Sequence, residues 1–184
     1  MSTGAVPDGH EGRSVEVTAV TERGTDFAAL VMTRVADSYR LARAILLDDG
    51  EAEDAVQEAS LSAWRRRSSL RDPDRFDPWF DRILINQCRD QLRKRRRAVK
   101  VAAPPVGFEP VATAPETGTD ADLDRALDAL DIDHRIVVLL RYWQDRTVDD
   151  IADRVGIPAG TVKSRLHNAM KQLRASLEAS HGRS

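Results

Sequence analysis

"TVDDIADRVGIPAGTVKSRLHNAMKQLR", from Thr147 to Arg174, holds two helical patterns separated by one short turn. Thr147 can cap the first, "VDDIADRV", and Gly156 ends it, because glycine readily takes the left-handed backbone that closes helices. The second begins near Ala159 and lines up Val162, Leu166, Ala169, Met170, Leu173 and Leu177 on one face. A short helix, a tight turn and a longer helix make helix-turn-helix geometry, in which the second helix enters the major groove of DNA. Opposite the apolar face stand Lys163, Ser164, His167, Asn168 and Lys171. Lysine suits phosphate or guanine, asparagine pairs with adenine, and serine suits either. No Asp or Glu occurs from Gly156 to Arg174, although the chain's formal net charge is -2. An acid there would face phosphates. An ordinary amphipathic surface helix with solvated lysines fits the same pattern. The glycine-bounded turn and the short helix before it favour DNA.

Outward from this stretch, composition bounds the rest. The 184 residues suit one large domain or two small ones. They are 41% hydrophobic, 32% charged and 5% aromatic, and rich in Ala, Leu, Arg and Asp, which favours helices over sheets. No apolar run is long enough to cross a bilayer, and the N-terminal stretch lacks the pattern of a secretory signal. The single cysteine, Cys88, excludes an internal disulfide and a multi-cysteine zinc site. The four histidines are scattered, with no ligand cluster and no phosphate-binding glycine loop. A cytoplasmic protein that is not an enzyme, with no metal and no cofactor, is expected. Charge is segregated. "RDQLRKRRRAVK" from Arg89 is basic, while "DADLDRALDALDID" from Asp120 is mostly acid and is expected to keep away from a polyanion.

Residues 1–25 are small, polar and aperiodic, and read as a disordered tail. A helical face then runs through Phe27, Leu30, Val31, Val35, Ala42, Ile45 and Leu46, and Asp48 to Gly50 break it. A second helix from about Glu51 carries Ala52, Ala55, Val56, Ala59, Ala63 and Trp64 on its stripe, with Asp54, Gln57, Glu58 and Ser62 off it. Asp77 and Pro78 read as the cap and first position of a third helix, whose buried face holds Trp79, Phe80, Ile83, Leu84, Cys88 and Leu92. Residues 98–119, rich in Pro, Gly, Ala and Thr, read as a flexible linker. Helices resume with Leu123, Ala126, Leu127 and Leu130, then run through Ile136, Val137, Leu140 and Trp143. The fold class is all-α: two small helical domains, 26–97 and 120–178, with a short tail at 179–184. A flexible linker would let the two move independently, so the free chain should bind a bipartite DNA site weakly.

Three blocks, "AEDAVQEASLSAW", "WFDRILINQCRDQLRKRRR" and "LDALDIDHRIVVLLRYWQDRTVDDIADRVGIPAGTVKSRLHNAMKQLR", resemble the ECF (extracytoplasmic function) sigma factors of bacterial RNA polymerase in order and spacing. The resemblance runs from about Asp26 to Leu177, and no large further C-terminal domain is expected. It implies a sigma region 2-like bundle, 26–97, and a sigma region 4-like helix-turn-helix, 120–178. Asp54, Gln57 and Glu58 match the helix that docks on the β′ clamp helices of core polymerase. On spacing alone they are equally a solvated acidic face, and Trp64 is expected to pack. "SSLRDPDRF", with Arg71 and Asp74, matches the segment that captures a flipped minus-10 base. Asn86, Arg89, Asp90, Arg93 and Lys94 match the helix that meets the minus-10 strand. Asn86 and Asp90 equally suit hydrogen bonds that tie the helix to its neighbours, and "RKRRR" also suits a solvated helix end.

By the same resemblance, Thr161, Lys163, Ser164, Arg165, His167, Asn168 and Lys171 would meet minus-35 DNA. The implied partners are core polymerase (β′ clamp helices and β flap), promoter DNA and an anti-sigma factor. One departure is Pro158, where the family often has a capping serine. The competing class is a stand-alone helix-turn-helix regulator that never touches polymerase. The acidic face of the first domain, joined to a basic helix, is what such a regulator has no need of.

Overall fold

The computed structural model describes residues 11–102 and 119–181, and every described element is helical. The order is α1 (Glu11–Leu46), α2 (Asp49–Arg66), two single 3-10 turns (Arg67–Ser69 and Pro73–Arg75), and α3 (Phe76–Ala102). Then follow α4 (Thr119–Asp128), α5 (Ile132–Val138), a π-helical turn (Leu139–Trp143), α6 (Val148–Val155) and α7 (Ala159–His181).

Helix α1 starts well before Asp26, so residues 11–25 are helical where the sequence pointed to a disordered tail. After Pro7 no proline interrupts the chain until α1 ends. A helix anchored by a buried face extends backwards at little cost once nucleated. The break after α1 falls at Leu47, whose φ of 59° is left-handed, and its N–H donates to the Arg43 carbonyl at 2.8 Å. Asp48 then caps α2 by accepting from the Glu51 N–H at 2.8 Å, which puts Gly50 inside the first turn rather than in a breaker.

Helices α1, α2 and α3 pack against one another. Small Ala52, Ala55, Ala59 and Ala63 on α2 let the backbones approach, and Leu41, Ile45, Phe80, Leu84 and Ile85 fill the centre. Phe27 meets Trp64, Phe76 and Trp79 edge-on at 6.0, 5.7 and 6.1 Å. Ser62 lies with the buried stripe rather than off it, and its hydroxyl accepts from Gln87 at 3.3 Å. Leu30 is more exposed than its place in the apolar pattern implies. Asp77 is not the cap of α3. Asp72 caps the preceding turn by accepting from the Asp74 N–H at 3.0 Å, and α3 begins already at Phe76.

The second half is built on two capping devices visible in the sequence. Thr147 and Asp150 form a reciprocal capping box at the start of α6. Gly156 closes that helix at φ 73°. At α7 the Pro158 carbonyl accepts from Thr161 and Val162 at 2.9 and 3.1 Å, so the helix starts at Ala159 without a side-chain cap. Trp143 departs from the expected apolar face. The π turn, marked by the Gln144 N–H to Leu139 carbonyl bond at 3.1 Å, swings it outward and leaves it half exposed.

The two halves touch. Residues 103–118, most of the expected linker, lie outside the described residues, and α3 continues through Ala102. Against the expectation of independent movement, α6 lies along α3. Ile136, Leu140, Ile151, Val155 and Val162 join the same apolar core as Phe80 and Leu84. A second cluster of Ala126, Leu130, Val138, Ala169 and Leu173 holds α4 and α5 on α7.

Candidate nucleic-acid interface

Helix α7 is amphipathic as its sequence dictates. Val162, Ala169 and Leu173 are buried, while Lys163, Ser164, His167, Asn168 and Lys171 are exposed on the other side. Thr161 is half-buried, and its carbonyl accepts from the Ser164 hydroxyl at 3.0 Å. Arg165 sits apart from this row, half-buried, with Nη2 2.8 Å from Oδ2 of Asp133.

Helix α3 carries the second group. Asn86 is exposed, and its Oδ1 accepts from Arg89 Nη1 at 3.3 Å. Arg93 donates to Asp90 one turn back, and Lys94 is exposed beside them. Arg89 also reaches across to the other half of the chain. Its Nε and Nη2 donate to Oδ1 of Asp133 at 3.0 and 2.7 Å. Arg71 and Asp74 are exposed on the segment between α2 and α3, Asp74 inside the turn that Asp72 caps. Asp54, Gln57 and Glu58 form an exposed patch on α2, away from the core stripe. Trp64 packs on Phe27 only with part of its ring. It is 42% exposed and holds the Arg67 guanidinium 4.7 Å from the ring centre.

Ion pairs add to the apolar core in positioning α3 against α6 and α7. Asp81, fully buried on α3, lies 3.2 Å from Arg34 of α1 and pairs with buried Arg154 of α6. At the edge, Arg75 pairs with Asp153 at 2.8 Å. Arg82 lies against the turn between α6 and α7, where a Cβ on Gly156 would sit 2.6 Å from its Nη2. Arg135 is buried and donates to the carbonyls of Ile45, Leu127 and Asp128 at 2.8, 2.9 and 2.7 Å. The Ile45 carbonyl lies in the last turn of α1, so Arg135 places a cation at that helix's negative pole. Burial pulls the Arg135 pKa below the usual guanidinium value even though Asp128 opposes the shift. Cys88 lies deep in the α3 packing, and burial pushes its thiol up to about 12, which removes it from redox or ligand chemistry near neutral pH. No group of His, Cys, Asp or Glu that could hold a metal occurs among the described residues.

The sequence pattern brought out both basic faces but missed Asp133. Its signal was the charge segregation itself. The acidic run from Asp120, expected to avoid a polyanion, ends at Asp133, and Asp133 faces Arg89 of α3 and Arg165 of α7.

Family models for "Sigma-70 region 2" and "Sigma-70, region 4" match residues 30–98 and 120–173. RNA polymerase sigma factor SigV of Bacillus subtilis is 30% identical over 166 residues, 90% of this chain and 92% of that protein. ECF RNA polymerase sigma factor SigM of Mycobacterium tuberculosis is 32% identical over 167 residues, 89% of this chain and 84% of its own length. The chain belongs to the sigma-70 family, in its ECF group. Among solved structures of similar shape is the sigma factor RpoE of Bartonella quintana in complex with the anti-sigma factor NepR. It has TM-score 0.67 and 28% identity, over 83% of this chain and 97% of that one. CnrH in complex with the cytosolic domain of CnrY gives 0.59 and 25%, over 83% and 88%. The exposed α2 patch and the α3 face of this ECF sigma factor lie in the region 2 match, and the α7 face lies in the region 4 match, which ends at residue 173. No described helix is long and apolar enough to cross a membrane.

Proposed function

We propose that this chain is a promoter-specificity subunit, which binds core RNA polymerase and directs transcription initiation at its own promoters in the cytoplasm. The observation that supports it best is one chain holding three separate polar faces. These are the acidic Asp54, Gln57 and Glu58 patch, the basic α3 face, and the acid-free α7 face. A regulator that only binds DNA needs the last of these.

In this reading residues 26–97 act as region 2, 98–119 as the linker and 120–178 as region 4. Asp54, Gln57 and Glu58 dock on the β′ clamp helices, and region 4 meets the β flap. Arg71 and Asp74 flank the pocket for a flipped minus-10 base, and Asn86, Arg89, Asp90, Arg93 and Lys94 track the strand. Thr161, Lys163, Ser164, Arg165, His167, Asn168 and Lys171 take the minus-35 element, with lysines on phosphate and Asn168 able to pair with adenine. An anti-sigma factor is the further partner, in line with the complexes that RpoE and CnrH form.

Transcription in vitro with purified core polymerase, followed by start-site mapping, tests the reading. Discrete starts that require the added chain are expected. A chain that neither binds core nor starts transcription, yet binds duplex DNA tightly and specifically alone, would mark a stand-alone regulator.

A further inference from the structure

Asp133 stands where α5 begins, between the two helices assigned to DNA. One of its oxygens takes two N–H groups of Arg89 on α3, and the other faces Nη2 of Arg165 on α7 at 2.8 Å. The three side chains are 33%, 21% and 23% exposed, so the contact is shielded yet open to solvent ions at its rim. A guanidinium binds carboxylate and phosphate with the same fork of donors. Each bond to Asp133 is therefore a bond that a DNA phosphate cannot make at the same time.

We propose that Asp133 is a built-in phosphate mimic, which masks Arg89 and Arg165 together in the free chain and must be displaced when DNA binds. The inference rests on α3 and α7 being the DNA-facing helices. The ion pairs beside it can open. Arg154 leaves Asp81 with Arg34 still in place, and Arg75 and Asp153 are exposed enough to be rehydrated. Masking by Asp133 also gives the free chain weak promoter binding for a reason other than a loose linker: its cations are already occupied.

The test is Asp133→Asn in the full chain, against Asp149→Asn. Asp149 is an exposed acid of α6, so its substitution removes the same charge without touching either arginine. Binding of the free chain to duplex promoter DNA is measured across a salt series. Asp133→Asn should tighten binding roughly threefold to tenfold at low salt and steepen the salt slope by about 1–2, as one or two more cations reach phosphate. Asp149→Asn should stay near wild type. Equal affinity of Asp133→Asn and wild type, or an equal gain in both variants, overturns the proposal. A second measurement leaves Asp133 intact. Ser68→Cys and Glu178→Cys carry a donor and an acceptor dye, since buried Cys88 will not take label. Energy transfer should change when DNA is added, and DNA binding without a change overturns the masking. Transcription with core polymerase is scored separately, because its absence in wild type sinks the sigma-factor reading and not the clasp.

Discussion

Helices α3 and α7 both present basic faces, yet the two faces are in different states. On α7, Lys163, His167, Asn168 and Lys171 stand exposed in a row with no acid in the helix from Ala159 to Arg174. On α3, acids are interleaved. Asp81 is buried under two arginines, Asp90 holds Arg93, and Asp133 from another element holds Arg89. Apart from Arg165, which Asp133 also holds, the α7 face can meet a partner as it stands, whereas the α3 face must first release internal contacts. A count of lysines and arginines treats the two alike. What separates them is where the nearest carboxylates lie, and for α3 two of the deciding pairs cross to the second half of the chain.

The strongest blow to this contrast is Asp81→Ala. It leaves Arg154 buried without its counter-charge, a situation that costs about 3–5 kcal/mol, while Arg34 keeps Asp37 and Asp77. The denaturation midpoint should fall sharply, with α6 losing its hold on α3. A small change would mean that the buried ions contribute little to the seam. Next is Gln57→Ala with Glu58→Lys, on the exposed α2 patch that neither basic face uses. Core polymerase should bind at least about tenfold more weakly, as expected when a rim charge is reversed against a complementary surface, while the melting temperature stays put. Unchanged affinity in a folded variant would remove the docking role.

Asn168→Ala probes whether the exposed α7 face reads bases. Transcription from a randomised minus-35 library should change its ranking of sequences by about 1–3 kcal/mol of discrimination at one position. Lys171→Ala should instead lower affinity on every sequence alike and reduce the salt slope by about 1. A uniform loss in both variants would make the whole face a phosphate grip. The smallest effect belongs to Thr147→Ala at the start of the helix-turn-helix, which removes a cap worth about 1 kcal/mol. The Thr147 hydroxyl holds the Asp150 carboxyl below its usual pKa. A depressed carboxylate contributes stability above its unfolded pKa and loses it as pH falls through the folded one. The gap between wild type and Thr147→Ala should therefore narrow in acid, below the ordinary carboxylate range, as thermal melts against pH would show.

Local chemistry made much of this molecule readable. The Thr147 cap, the Gly156 turn, the start of α7 near Ala159 and the alanine stripe of α2 each depend on residues within one or two turns of one another. Where reading by pattern went astray, a competing local rule or a neighbour intervened. Asp48 captured the start of α2 and absorbed Gly50 into it. Asp72 stopped a turn ahead of Asp77, so α3 began earlier. The π turn changed the period just where Trp143 was counted as apolar. Ser62, polar by type, was drawn inward to meet Gln87.

By itself the sequence determined an all-helical chain, the faces of its helices and the residues that bear charge on each, because side-chain spacing along a helix is a property of the backbone's own period. Tertiary structure alone decided which charges remain available. Arg89 finds Asp133 44 positions away, and Arg154 finds Asp81 73 positions away. Ion pairing depends on distance and on exclusion of water, and both come into being only when α6 and α7 settle on α3.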